Sequence, residues 1–373
     1  MKILVINPIL FTSENYVIPE NRTIKETMIY HLCLGFKTNG HQVTLAAADD
    51  FKPVPEEAEY DFEVLFFKSA MKKIFRPAVL PLSLDFYKYL KANHKRYDMI
   101  VSSEVFMITS LIASIICPSK TVIWQEMAYH QRLFKKIPSR LWHRVIVPLF
   151  FRRVRCVIPR SEKARLFIHQ YMKNVTSDYV DHGINISLFQ FSKTKKRQLI
   201  SSSQLIYRKN IESIIENYSR LIKIKGYEDV RLLIAGRGDY RPVLEEKVQQ
   251  LNLQSFVTFL GFVNQQELND RIKESYAFLI NTRQDLNMVS IPEAIVSGTP
   301  VITNLIPASA DYIKKEKLGI VKEGWDESDL IEIIENNPFY VDNCINYRDK
   351  LTNTCCAEKI VDFWVRGRPV RIS

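Results

Sequence analysis

Two carboxylates, Asp285 and Glu293, stand eight residues apart in residues 281–304, in a setting suited to an anion. Residues 276–280 form an apolar run that reads as a strand, and a polar turn follows it. A helix opens at about Val289 and stops at Gly298-Thr299-Pro300, before a second apolar run, Val301–Thr303. Such a unit sets the helix N-terminus at the carboxyl edge of a parallel sheet, where open α/β folds bind ligands. The N–H groups of that turn and the positive end of the helix dipole favour a phosphate. A phosphate at Val289 and Ser290 would have one acid on the loop beside it and one on the helix, because Glu293 shares the face reached from that edge. The spacing alone is equally compatible with an ordinary loop acid and an ordinary helix acid.

Other groups that could do chemistry also stand at strand ends. Glu126 and His130 follow the apolar run 121–124, where an acid and a histidine could contact an acceptor or a sugar. Polar residues on a surface loop would look the same. Gly236-Arg237-Gly238 follows the strand-like run 231–235; one GxG is a weak signal and counts only through its place in the series. Stepping along the chain, strands are expected at 2–7, 41–47, 97–101, 121–124, 198–202, 231–235 and 256–263. Helices are expected at 22–38, 240–253 and 265–273, with Asn39-Gly40 as a stop after the first. Alternation of this kind predicts two doubly wound α/β domains. The polar, basic run 192–197 reads as the linker.

A chain of 373 residues is long enough for two cores, and 46% hydrophobic with 25% charged residues is ordinary for a soluble globular protein. No run reaches the length of a membrane span, and no cleavage site follows the N-terminal strand pattern, which argues against a signal peptide. The six cysteines lack C-x2-C spacing and read as buried or incidental thiols of a reducing cytoplasm, so no metal site is expected. The net charge of +11 allows nucleic acid, an anionic membrane or anionic ligands as partners.

Its distribution narrows that choice. Residues 127–161 contain no acid but hold Arg132, Lys135, Lys136, Arg140, Arg144, Arg152, Arg153, Arg155 and Arg160, interleaved with Leu133, Phe134, Leu141, Trp142, Phe150 and Phe151. Lys68, Lys72, Lys73 and Arg76, with Phe66, Phe67, Met71 and Phe75, make a second such cluster. Basic and aromatic residues together suit an anionic membrane interface, on one shared surface if the fold brings the clusters together. A solvated helix packed by its apolar side is the plainer alternative. No helix-turn-helix, zinc-finger or RRM-type signature accompanies the charge, so nucleic acid is not expected.

The run from Asp285 to Ile302 resembles the segment EGFGLVxLEAMAxGxPVI of family 4 glycosyltransferases of the GT-B fold. Its second half matches closely; in the first, Asp285 replaces Glu, and Leu286 and Met288 replace glycines. Residues 204–210 (QLIYRKN) resemble the family's GRLxxxKG turn, with Lys209 in place and Gln204 where the arginine belongs. Residues 231–238, 256–263, 157–162 and His182-Gly183-Ile184-Asn185 resemble further family turns. The resemblance implies a GT-B protein: two Rossmann-like doubly wound domains facing across a cleft. Residues 1–190 would bind acceptor, residues 191–350 would bind nucleotide-sugar, and 351–373 would return to the first domain as a helix and tail.

It further implies a retaining glycosyltransferase moving sugar from a UDP-, GDP- or ADP-sugar to a glycan or lipid-linked acceptor of surface polysaccharide or lipopolysaccharide, without metal or other cofactor. Glu293 would take the ribose hydroxyls and Asp285 the sugar hydroxyls. Lys209, with the amides of Val289 and Ser290, would hold the diphosphate, and Arg208 would partly compensate for Gln204. Gly236, Gly238, Phe262, Val263 and Met288 would complete the donor site, and Glu126 and His130 would serve the acceptor side. Such an enzyme would sit in the cytoplasm, peripheral to the inner face of the cell membrane. Two alternatives stand beside it: an inactive GT-B scaffold, favoured by Gln204 and the lost glycines, and a nucleotide-sugar 2-epimerase.

Overall fold

The computed structural model describes residues 1–11, 16–18, 20, 22–55, 57, 59–130, 133–284 and 288–367. The chain forms two compact units, Met1–Gly183 with Asn353–Ser373, and Ile184–Thr352. The first unit holds the strands β1 (Lys2–Ile6), β2 (Gln42–Ala48), β3 (Glu63–Phe67), β4 (Met99–Ser103), β5 (Thr121–Gln125) and β6 (Cys156–Pro159). All pair in parallel, in the order β3-β2-β1-β4-β5-β6. β1, β4 and β5 are nearly continuous apolar runs because helices cover both faces of the sheet; Ile3, Leu4, Ile100 and Ile123 are fully buried. Each such side chain contributes about 1.5–3 kcal/mol relative to exposure.

The helix Met28–Thr38 begins six residues later than the sequence pattern suggests. Thr27 caps it by accepting from the Tyr30 amide. Ahead of it, Glu57 takes the Thr23 hydroxyl at 2.6 Å and the Ile24 amide at 3.2 Å, which holds that stretch in a turn. The last helix, Asn353–Arg366, returns to this unit and buries Cys356, Ala357 and Ile360 in its core. It packs against Met28–Thr38 at Gly35, where any Cβ would strike the Asn353 carbonyl. The Asn353 amide donates to His31 O at 2.8 Å and Asn39 donates to Thr354 O at 3.0 Å.

The second unit repeats the plan. β7 (Gln198–Ser202), β8 (Arg231–Ala235), β9 (Val257–Gly261), β10 (Ala277–Leu279), β11 (Val301–Thr303) and β12 (Gly319–Val321) form a parallel sheet in the order β12-β11-β10-β7-β8-β9. In each sheet the chain winds outward from a central strand, then returns to wind the other way. The two switch points lie between β1 and β4, and between β7 and β10. Loops diverge there at the carboxyl ends of the strands and leave a crevice.

Two segments differ from the expectation. Ile184 and Phe189 belong to the second core, and the Ile184 amide donates to Leu351 O at 2.7 Å, so this unit begins at 184. The basic run 192–197 is not a loose linker. Lys195 is drawn in to donate to Lys273 O, Gly298 O and Thr299 Oγ1 at 2.7–3.1 Å, while Lys193, Lys196 and Arg197 pair with Asp342, Glu274 and Asp229.

Candidate functional site

Four turns meet at the carboxyl edge of the second sheet, and backbone bonds stitch them together. After β7, the Leu205 amide donates to Arg237 O at 2.8 Å; after β8, the Gly236 amide donates to Gly261 O at 2.7 Å. After β10, the Arg283 amide and the Thr282 hydroxyl both donate to Arg208 O, at 2.8 and 3.1 Å. Gly236, at φ +131°, and Gly238 are required sterically: a Cβ on either would collide with the carbonyls of Ser203 or Leu205. Arg283 ties the turns further, lying over the Tyr207 ring at 4.0 Å and pairing with Glu212 at 2.9 Å.

The short helix Ser290–Val296 starts beside these turns without a side-chain cap. The Ile291 amide donates to Met288 O and Pro292 has no N–H, so an anion at this turn would meet the amides of Val289 and Ser290. Glu293, half-buried on this helix, has Gln265 Nε2 as its polar neighbour at 3.5 Å. Desolvation pushes its carboxyl up to about 7, against the lowering effect of Gln265. Lys209 is half-buried, Arg208 and Gln204 are exposed, and Asn210 takes a left-handed turn at φ +53° to start the next helix. Phe262 is exposed at the end of β9 with Arg237 over its ring at 5.3 Å; Val263 beside it is half-buried and Met288 is buried. Asp285, with Leu286 and Asn287, lies outside the described residues.

The first unit carries its own pocket, of about 220 Å³, at the β1/β4 switch point. Asn7 and Phe11 come from the loop after β1, Ser103 and Glu104 from the end of β4, Trp124 and Glu126 from β5 and its turn, and Arg160 from the end of β6. Glu104 has φ +63°, a strained value for a side chain of this kind. Its carboxylate fixes it there by accepting from the Glu126 amide at 2.5 Å, the Met127 amide at 3.2 Å and Gln125 Nε2 at 2.8 Å. Burial, with the nearby Glu126 charge, raises the Glu104 pKa to about 8 despite those donors. Glu126 pairs with Arg160 at 2.5 Å, and Arg160, only 5% exposed, donates also to His182 Nδ1 at 3.1 Å and lies over Trp124.

Residues 185–347 match the family model described as glycosyl transferases group 1. That match lies within the second unit, Ile184–Thr352. The alpha-monoglucosyldiacylglycerol synthase of Streptococcus pneumoniae is 26% identical over 197 residues, 48% of this chain and 44% of that protein. The O-antigen chain mannosyltransferase RfbU of Salmonella typhimurium is 27% identical over 180 residues, 47% of this chain and 49% of that protein. These matches thus span about half the length of each relative. The Anabaena Alr3699/HepE structure covers 98% of this chain and 100% of its own at a TM-score of 0.69 and 16% identity. That likeness fixes the fold as GT-B.

Within the matched segment, Lys209, Glu293, Val289, Ser290, Gly236, Gly238, Phe262 and Val263 all stand on the four turns or the helices that leave them. Glu126 and His130 part company. Glu126 lines the pocket of the first unit, whereas His130 joins a ring cluster with His143, Phe167 and Tyr171, bonding Ser139 and the Tyr171 hydroxyl at 3.1 and 3.0 Å. Desolvation, helped by Arg140, Lys136 and Arg144, lowers its pKa. Sequence reasoning missed Glu104 and Arg160 as pocket residues. An acid just past the strand-like run 97–101 was the available signal for the first; the second was hidden in a basic run. In that run Trp142 donates its indole N–H to Val105 O, and Phe151 is fully buried, so these aromatics build the core instead of a surface. The second basic cluster follows β3, at the opposite sheet edge from β6, and Phe67 there packs on Phe86 and Tyr89. Among the described residues no helix is long and apolar enough to cross a membrane.

Proposed function

We propose that this protein transfers a sugar from a nucleotide-diphosphate sugar to a glycan or lipid-linked acceptor, with retention of anomeric configuration. The observation that carries the reading is Glu293: a carboxylate desolvated enough to titrate near 7, at the switch point of a group 1 domain, beside a turn that offers amides to an anion. Its two oxygens suit the paired hydroxyls of a ribose. Lys209 and the amides of Val289 and Ser290 would stabilise the diphosphate as its bond to the anomeric carbon breaks. The acceptor hydroxyl oxygen bonds to that carbon from the face the diphosphate leaves, and its proton passes to the departing diphosphate oxygen. Asp285 would face the sugar hydroxyls. Charge stabilisation by the lysine and helix terminus needs no metal.

The pocket of Glu104, Glu126 and Arg160 suits the hydroxyl-rich acceptor, with Glu126 the group nearest solvent. One relative is named for a glucosylated diacylglycerol and another for an O-antigen chain, which supports a lipid-linked or surface-glycan acceptor and work at the inner face of the membrane. A similar structure is a complex with UDP, so UDP is the first base to try.

The test is calorimetric titration with UDP, GDP, ADP and CMP, followed by nucleotide-release assays with lipid and glycan acceptors. Glu293→Ala and Lys209→Ala should each lower transfer about a hundredfold or more. Glu126→Ala should lower transfer while leaving nucleotide affinity unchanged. Wild-type turnover in both donor-site variants would overturn the assignment. A second reading, a GT-B scaffold without transfer, is favoured by one observation: Gln204 is uncharged, and Arg283 nearby gives its charge to Glu212. Nucleotide binding without release in the presence of any acceptor would support it.

A further inference from the structure

We infer that the helical segment 137–153 of the first unit is a docking surface for an anionic lipid membrane. It runs as Ile137–Leu141, a π-helical turn Trp142–Ile146 and Val147–Phe150, ending in a 3-10 turn Phe151–Arg153. One face is fixed by the fold: His143, Val147 and Phe151 are buried and Trp142 is anchored to Val105 O. That face satisfies the packing of the unit, so the opposite face of a solvated helix would be polar. Here it is not. Ile137 is 62% exposed, Leu141 63%, Val145 48% and Leu149 54%, a row at i, i+4 spacing. The π-turn opposes the drift that this spacing would show around a pure α-helix, so the four stay in line.

The remaining exposed side chains of the segment are Pro138 and four arginines, Arg140, Arg144, Arg152 and Arg153, with Lys135 just ahead. No acid occurs from 127 to 161, and among the described residues none of these five cations pairs with a carboxylate. Aliphatic side chains between arginines match the interface of a bilayer with anionic headgroups: apolar tips reach the acyl boundary and guanidinium groups meet phosphates. Nucleic acid would use the cations but has no place for four aliphatic side chains in a row. A second copy would set like charge against like charge across a two-fold axis.

The proposal deepens the reading of a membrane-borne acceptor and rests on it. The experiment is flotation of the full chain with phosphatidylcholine vesicles, with and without phosphatidylglycerol, at low and high salt. The wild type is expected to float with the anionic vesicles and to be released by salt. Arg140→Gln with Arg144→Gln should weaken that binding about 25-fold, about fivefold for each charge. Leu141→Gln with Val145→Gln should abolish flotation; circular dichroism and UDP titration check that both variants stay folded. Failure of the wild type to float, or undiminished flotation of the Leu141/Val145 variant, would overturn the surface. So would light scattering that shows a wild-type dimer split by that variant. Failed flotation with intact nucleotide binding and transfer removes the membrane surface alone, whereas absent nucleotide binding removes the transferase reading.

Discussion

Glu293 sets binding against stability. Its folded pKa of about 7 lies above the ordinary 4.5, so the folded state binds the proton more tightly than the unfolded chain. The stabilisation from that proton is complete below the unfolded value and is lost as pH rises through about 7. The hydroxyls of a ribose, however, need the ionised form as acceptor. Nucleotide affinity should therefore rise as pH increases through about 7, while the nucleotide-free protein loses some thermal stability over the same interval. Glu293→Gln should remove both trends: its melting temperature above pH 7 should exceed the wild type's, with nucleotide binding lost. Calorimetry over a pH series checks both, and a wild-type melting curve indifferent to this substitution would show that the carboxylate is well hydrated.

At the scale of elements, the turns at the carboxyl edge of the second sheet act as one piece because backbone meets backbone. Gly236 and Gly238 let the turn after β8 lie directly on the turn after β7, and no side chain can be accommodated between them. Gly236→Ala adds a backbone conformation that disfavours side chains, at φ +131°, to a carbonyl collision. It should destabilise the second unit by about 1–3 kcal/mol, the usual cost of forcing atoms into a packed site. It should also weaken nucleotide binding by shifting Lys209. Thermal melts and UDP titration measure the two effects; a neutral result would mean that the turns separate freely.

Across the whole molecule, the chain leaves the first unit at Gly183 and returns to it at Asn353. Removing residues 353–373 should expose the core faces of Met28–Thr38 that Cys356, Ala357 and Ile360 cover. Ile360 alone is worth about 1.5–3 kcal/mol of burial. Limited proteolysis should then cut the first unit early and leave Ile184–Thr352 intact. Equal resistance of the truncated and full chains would show that the returning helix is dispensable.

Much of this was written locally. Strand alternation, glycine stops and the helix opening ahead of Glu293 and closing at Gly298 follow from periodicity and turn chemistry, which act over a few residues and sufficed for the doubly wound architecture; Lys209 stood out only through the resemblance to the family's turn. The pocket of the first unit was not legible. Glu104, Glu126 and Arg160 come from three strands and converge only once β4, β5 and β6 are paired in order. The sequence likewise placed arginines and apolar residues together in 132–160 without saying which face each would take. Burial decided that: packing against the first sheet drew in Trp142, Phe151 and Arg160 and left Ile137, Leu141, Val145 and Leu149 outside. Composition is a property of the chain, but exposure and convergence exist only when distant segments compete for the same core.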